Sequence, residues 1–259
     1  MNLIVGGDSV IGSALGMYWS AQGVAFHSST RKKELESKVR PFIDLENIDL
    51  ENLNYRYDSV VLCAAVSKLD ECEQNPKKTR IINVYNTSKL AERFSNLGAF
   101  VLFLSTNQVF DGTLPFRKIS DKRGGAVSEY GKQKSDAEDF ISSLNSYGIL
   151  RITKVMHPEL SLLVKWRKSL ENKEQISAFK DMYFSPVKIE KVIIEIDLIV
   201  KNRMIGIFHC SGGEDISYYD FASKYVKSLG YSEGLVNAVL CKKEGARYTS
   251  LSSNYHKGL

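Results

Sequence analysis

The chain lacks the marks of several protein classes. No apolar run approaches the ~18 residues that a membrane-crossing helix needs, so no transmembrane helix is expected. Met1-Asn-Leu-Ile-Val-Gly-Gly7 has neither the basic start nor the long apolar core of a signal peptide and reads as a first strand entering a turn. Cys63, Cys72, Cys210 and Cys241 are widely separated without paired metal spacing, and the four histidines form no ligand pair. No metal site is expected, and free thiols in a reducing cytoplasm are the simplest account. Charge is not concentrated either. The formal charge of +5 is spread along the chain, which slightly favours a small polyanionic ligand and gives no case for nucleic acid. Internal repeats and low-complexity segments are absent.

What is present is ordinary for a globular protein. The 259 residues are 43% hydrophobic and 25% charged, enough for one large α/β domain or a domain with a smaller appendage. Leu3-Ile-Val5 is a short apolar strand, followed by a turn holding Gly6, Ser9 and Gly12. Val10, Ile11, Ala14, Leu15, Tyr18 and Trp19 then repeat at helical spacing, so a helix begins around Ser9. Strand, glycine-rich turn and helix in that order form the context of a dinucleotide fingerprint, in which glycine lets the backbone approach a pyrophosphate at the helix start.

Val24 to Thr30 reads as the second strand, ending about 20 residues after the glycine turn, where an NAD-specific site carries an acid for the ribose hydroxyls. This chain has Ser28, Ser29, Thr30, Arg31, Lys32 and Lys33 there. A hydroxyl-rich basic end suits a 2′-phosphate and favours NADPH over NADH, although Arg31 to Lys33 equally suit a surface loop. Pro41 to Leu45 reads as a third strand, with Asp44 a candidate for contacting adenine. Asp58 to Ala65 reads as a buried fourth strand whose small terminal residues, Ala64 and Ala65, allow a cofactor to come close. A helical run from about Thr79 to Leu97 and a strand from Ala99 to Ser105 follow. Alternating strands and helices predict a doubly wound parallel sheet of Rossmann type, with ligands at the carboxyl ends of its strands.

Two stretches carry the chemistry. Thr106 ends the buried run Phe100–Ser105, and Tyr130 and Lys134 lie four residues apart on one face of a helix opening near Ser128. An ammonium near a phenol lowers its pKa toward the working range of a proton donor. Thr106, Tyr130 and Lys134 therefore read as a proton-transfer site beside a nicotinamide ring. Tyr85 and Lys89 repeat the spacing, but no hydroxyl-bearing strand end precedes them. Further on, Gly148–Thr153 and Gly206–Cys210 read as strands, Pro186–Asn202 as a helix, and Ser217 as the N-cap of a helix to about Leu229. Residues 154–183 lose the strand–helix rhythm.

Val5 to Leu15, Cys63 to Glu73, Asn83, Leu104-Ser-Thr-Asn-Gln-Val-Phe-Asp-Gly112, Tyr130 with Lys134, and Ile149 to Thr153 together resemble the extended short-chain dehydrogenase/reductases. Among these the chain is similar to nucleotide-sugar reductases of the dTDP-4-dehydrorhamnose reductase type. The resemblance implies that Gly6, Ser9, Val10, Ile11 and Gly12 hold the pyrophosphate of NADPH, or of NADH. It implies that Asp44 and Leu45 meet the adenine region, and that Ala64, Ala65 and Asn83 line or brace the groove. Tyr130 is then the proton donor, Lys134 its activator and a ribose ligand, and Thr106 the group orienting the reacting oxygen. Val66, Thr106, Asn107 and Tyr130 face a nucleotide-sugar substrate. Related 4,6-dehydratases carry Thr-Asp-Glu, whereas this chain has Thr106-Asn107-Gln108, amides unable to exchange protons in that way; dehydratase activity is not expected. A dinucleotide-binding part over 1–155 and about 184–211 is expected, with a small, reduced substrate lobe over about 156–183 and 212–259. Two other functions share the resemblance: a nucleotide-sugar epimerase that retains NAD, and an NADP-binding regulatory partner like the regulatory subunit of methionine adenosyltransferase. A cytoplasmic enzyme of polysaccharide biosynthesis, with no membrane partner and a homodimer as a possible assembly, completes the expectation.

Overall fold

The short apolar runs of the sheet's middle become neighbouring parallel strands because their β-branched and aromatic residues are buried on both faces, while the edge strand Phe26–Ser28 is only partly buried. The computed structural model describes residues 1–51, 53, 55–242 and 246–252. In chain order they form β1 (Asn2–Val5), α1 (Val10–Ala21), β2 (Phe26–Ser28), β3 (Ser59–Leu62), α2 (Leu69–Gln74) and α3 (Pro76–Arg80). A π-helical segment, Ile81–Asn86, runs directly into α4 (Thr87–Asn96). Next come β4 (Phe100–Thr106), α5 (Glu129–Ile141), β5 (Tyr147–Ile152), β6 (Lys154–Met156), α6 (Ser161–Glu171) and β7 (Ile176–Phe179). The last are β8 (Tyr183–Phe184), β9 (Pro186–Lys188), α7 (Ile189–Lys201), β10 (Gly206–Cys210), β11 (Ile216–Ser217), α8 (Tyr218–Ser228) and β12 (Val236–Val239).

The main sheet has the order β10-β5-β4-β3-β1-β2, and every neighbouring pair is parallel. Successive side chains point to opposite faces. Leu3, Val5, Val60, Leu62, Val101 and Phe103 pack on one side with Leu90 and Phe94 of α4 and Ala137 and Ile141 of α5. Ile4, Val61, Leu102, Leu104 and Leu150 pack on the other with Leu15 and Trp19 of α1 and Val192, Ile196 and Ile199 of α7. From β1 the chain moves outward to β2, then returns past β1 to β3. That reversal opens a crevice at the carboxyl ends of β1 and β3, the place where such sheets bind ligands.

Three expected elements differ in detail. Pro41–Leu45 is not a strand of the sheet: it meets Thr30 through a single bridge at Phe42, with Thr30 N–H donating to the Pro41 carbonyl at 3.0 Å and Ile43 N–H to the Thr30 carbonyl at 2.9 Å. The helical run Thr79–Leu97 is divided among α3, the π-helical segment and α4. The expected helix from Pro186 starts at Ile189, since Pro186–Lys188 pairs with β6 as β9.

After β5 only β10 returns to the main sheet. β7 pairs with β12 and β8 with β11, while α6 and α8 cover β7 and β12 around Leu163, Trp166, Leu170, Ala222 and Val226. Residues 246–252 then cross back to the segment after β4. Arg247 and Tyr248 N–H groups donate to the Gly112 carbonyl at 2.9 and 3.0 Å, and Ser252 N–H donates to the Arg117 carbonyl at 2.9 Å. Of the stretch expected to form the substrate lobe, 243–245 and 253–259 lie outside the described residues. No helix among the described residues is long and apolar enough to cross a membrane.

Candidate active site

The crevice between β1 and β3 begins at Gly6, whose φ of +88° suits glycine. A Cβ at Gly6 would lie 2.7 Å from the Ala64 nitrogen, and one at Gly12 would lie 2.3 Å from the Gly6 carbonyl oxygen. The turn is therefore as tight as a backbone approaching a pyrophosphate requires, and it leads into α1, which has free N–H groups at its start. Ser9 caps α1 by accepting from Gly12 N–H at 3.1 Å. A pocket of about 220 Å³ lies here, bordered by Gly6, Ser9, Arg31, Asp44, Leu45, Ala64, Ala65 and Val66. These are residues fitted to a dinucleotide by shape and by donor set.

Other expected ligands sit differently. Val10 is exposed at the helix start, Ile11 packs against the core on the α1 side, and Gly12 supports Gly6 from behind. Thr30 is buried, and its hydroxyl donates to Asp8 at 2.7 Å, so it is committed within the protein. Lys33 is held by Glu36 at 2.6 Å and lies over the Phe42 ring. Asn83 braces the pocket rather than lining it. Its side chain accepts from Val66 N–H at 2.8 Å and donates to the Val66 carbonyl at 2.9 Å. Ser29, from the hydroxyl-rich end of the second strand, also borders the pocket, and Asp8, Ile43, Glu46 and Ile82 do so without having been singled out by sequence. Asp8 lies within the glycine turn itself, and that position was its only signal.

Thr106 ends β4 and starts a short 3-10 turn, accepting from Gln108 N–H at 3.2 Å. Its proton finds only Asn107 Oδ1 at 3.5 Å, a contact at the limit of a hydrogen bond, which leaves the hydroxyl able to donate to a ligand. The start of α5 docks on this turn. Ser128 caps α5 through Gly131 N–H at 3.0 Å and donates to Gln108 Oε1 at 2.7 Å. A Cβ at Gly131 would lie 2.2 Å from the Gln108 carbonyl oxygen, so glycine after Tyr130 permits this contact. One helical turn on, Lys134 is 3% exposed. Its Nζ donates to the Leu104 carbonyl at 2.9 Å, lies 4.3 Å from the Phe103 ring centroid and 6.0 Å from that of Tyr130.

The electrostatics run opposite to the simple expectation for Tyr130. Burial pushes its phenol above the ordinary tyrosine range, with Cys72 adding to the shift. Burial also brings Lys134 down to about 8, against the opposing pull of Glu138. The ammonium is drawn to Leu104 rather than to the phenol, so desolvation outweighs its attraction. Tyr130 therefore rests in the protonated form that a proton donor needs.

Beyond Thr106 opens a cavity of about 1040 Å³ between the sheet and the C-terminal elements. Thr106, Asn107 and Gln108 form its sheet side, and Met182, Tyr183, Tyr218, Cys241 and Tyr248 contribute from the other. Tyr183 and Tyr248 stack with centroids 5.4 Å apart. The wall residues come from distant parts of the chain and had no local signature.

A family model described as RmlD substrate binding domain matches residues 1–249. The chain belongs to that family. Among its relatives is dTDP-4-dehydrorhamnose reductase of Sinorhizobium fredii, 30% identical over 182 residues, or 66% of this chain and 61% of that protein. This RmlD-family chain thus aligns with less than two thirds of that relative's length. Methionine adenosyltransferase 2 subunit beta of Rattus norvegicus is 26% identical over 244 residues, 85% of this chain and 69% of the relative. In structure the chain is similar to dTDP-4-dehydrorhamnose reductase of Bacillus anthracis in complex with NADP, with a TM-score of 0.84 and 20% identity, covering 98% of this chain and 90% of that one. This likeness establishes the Rossmann-type α/β fold.

Proposed function

We propose that this RmlD-family protein is an NADPH-dependent reductase of a nucleotide-linked keto-deoxysugar. The observation that carries the reading is Thr106 on the wall of the larger of two cavities, with the start of the Tyr130–Lys134 helix docked on the turn that follows it. The smaller is the glycine-turn pocket sized for part of a dinucleotide, and the larger is a cavity large enough for a nucleotide sugar. The relatives named dTDP-4-dehydrorhamnose reductase support the substrate class. The relative solved with NADP supports the cofactor.

Gly6, Ser9, Arg31, Asp44, Leu45, Ala64 and Ala65 hold the dinucleotide in this reading, with Asn83 bracing Val66 at its edge. When bound, the reduced nicotinamide supplies hydride to the carbonyl carbon. The Thr106 hydroxyl donates to the carbonyl oxygen, and the Tyr130 phenol gives that oxygen its proton, so the carbonyl becomes an alcohol. The phenolate left behind draws on the Lys134 ammonium and regains a proton from solvent. Val66 and Asn107 border the sugar. Asn107 and Gln108 lack exchangeable acid protons, in keeping with reduction rather than elimination. We assign 1–155 with about 184–211 to dinucleotide binding, and the remaining C-terminal elements to the substrate. A cytoplasmic setting and a homodimer belong to the same proposal.

Two observations favour a second reading. Lys134 is bonded to Leu104 rather than turned to the phenol, and relatives named methionine adenosyltransferase 2 subunit beta cover 85% of the chain. A non-catalytic NADP-binding partner protein accounts for both. Purified protein titrated with NADPH and then given a panel of keto-sugar nucleotides separates the two. Oxidation of the reduced nicotinamide by one panel member is expected. Binding without any oxidation, together with a stable complex with another enzyme, would replace the reductase reading.

A further inference from the structure

Of the three acids bordering the nucleotide pocket, Asp8, Asp44 and Glu46, the first sits in the phosphate-binding turn, where a purely phosphate-binding site has no use for it. Asp8 borders the pocket from within the glycine turn. Its Oδ2 accepts from Thr30 Oγ1 at 2.7 Å, and its Oδ1 is paired with Arg40. Rossmann sites that prefer a free ribose 2′-hydroxyl place an acid at the end of the second strand. Here that position is occupied by Ser28, Ser29 and Thr30, and Asp8 reaches the same place from the opposite side of the crevice.

Arg40 is held there by backbone. Ser37 and Arg40 exchange hydrogen bonds of 3.0 and 3.1 Å, and the carbonyls on either side of Arg40, of Val39 and Pro41, accept from Ser28 and Thr30 N–H at 3.1 and 3.0 Å. Its Nε is buried with no partner among the described residues, so the guanidinium has donors beyond those Asp8 uses. Partial burial pushes the Asp8 carboxyl up, but the Thr30 hydroxyl and the Arg40 guanidinium hold it below the usual carboxylate range. It is charged at neutral pH.

Resting on the reading that this pocket binds a nicotinamide dinucleotide, we infer that the Asp8–Arg40 pair sets the choice between NADPH and NADH. Asp8 accepts from a ribose 2′-hydroxyl, and Arg40 offsets its charge so that a 2′-phosphate is admitted beside Arg31. A 2′-phosphate carries about −1.5 to −2 charges at neutral pH and is repelled by an uncompensated carboxylate. At the ribose end Arg31 and Arg40 face Asp8, while the pocket's other acids, Asp44 and Glu46, lie on the segment assigned to adenine and Glu46 is paired with Lys78; both cofactors are accommodated. Loss of either member of the pair tips the balance in opposite directions.

The test is titration of wild type, Asp8→Asn and Arg40→Gln with NADPH and with NADH, without substrate, following quenching of tryptophan fluorescence. Both dinucleotides go into the same preparation, so the ratio of dissociation constants is unaffected by a partly unfolded fraction. Asp8→Asn is expected to shift that ratio toward NADPH by about tenfold, and Arg40→Gln toward NADH by about tenfold. Arg40 lies on an exposed hairpin, so Arg40→Gln keeps the test available where Asp8→Asn fails to fold. A ratio left within about twofold of wild type by Arg40→Gln, or moved in the same direction by both variants, would overturn the inference. Wild type that binds neither dinucleotide contradicts the dinucleotide-site reading itself.

Discussion

Lys134 shows how burial rewrites a residue's chemistry. Spacing alone places its ammonium on the same helix face as Tyr130, and the structure puts it 6.0 Å from the ring. Spacing does not reveal that both groups are desolvated, which moves the phenol up and the ammonium down. Only a charged Lys134 can stabilise a phenolate in so dry a site. Turnover at saturating cofactor and substrate should therefore fall above about pH 8, as Lys134 loses its proton. A pH–rate profile checks this, and a rate that holds steady to pH ~10, where unperturbed lysine titrates, would contradict it. The placement of Thr106 at a strand end, and of Tyr130 and Lys134 on one helix, was legible because each is fixed by one local element. Thr30 was misread because a hydroxyl at a strand end looks the same in sequence whether it faces a ligand or an aspartate.

Among the elements, the π-helical segment Ile81–Asn86 shapes the site most. A π turn inserts an extra residue into the helical run and is frequent near functional sites, yet an apolar repeat read at 3.6 residues per turn passes over it. It delivers Asn83 to the Val66 backbone and to Gln133 Oε1 at 2.8 Å. Gln133 in turn donates to Thr79 Oγ1 at 2.9 Å, so α5 is tied to the groove edge through buried amides. Asn83→Leu strands the Val66 N–H, one Val66 carbonyl lone pair and the Gln133 oxygen. Urea unfolding should show a loss of about 2–3 kcal/mol, with weaker dinucleotide binding. A variant as stable as wild type would show that Val66 finds other partners. The main strands were legible as apolar runs, whereas Pro41–Leu45 shows the limit: β-like composition does not reveal that the segment meets Thr30 through a single bridge.

At the scale of the whole molecule, a buried charge network joins the sheet to the C-terminal segment. Arg151 and Glu138, each 1% exposed, pair at 2.7 Å, and Ser105 donates to the same carboxylate. Arg151 also meets His209 at 3.4 Å, while His209 Nδ1 lies 3.2 Å from the Ser252 carbonyl oxygen. Burial first, and Arg151 second, bring His209 down to about 4. Between that value and the ordinary histidine value of 6.5, the unfolded chain binds a proton that the folded one does not, so stability falls as pH drops through this window. The full effect is roughly 3 kcal/mol. Denaturation midpoints should decline on acidification in wild type and decline less in His209→Gln; equal declines would place the acid sensitivity elsewhere. None of this network was legible, because Glu138, Arg151, His209 and Ser252 come from separate regions of the chain. The same holds for the cavity walls of the C-terminal elements, whereas the strand–turn–helix order that fixes the crevice is contiguous and was read directly.

The central claim is that Tyr130 supplies the proton in a carbonyl reduction. Its most direct test measures NADPH binding and NADPH oxidation by a keto-sugar nucleotide in wild type and Tyr130→Phe side by side. The reductase account predicts NADPH affinity within about threefold of wild type and turnover reduced by at least about 10²-fold, the lower end for loss of a general acid. Unchanged turnover in Tyr130→Phe would contradict it.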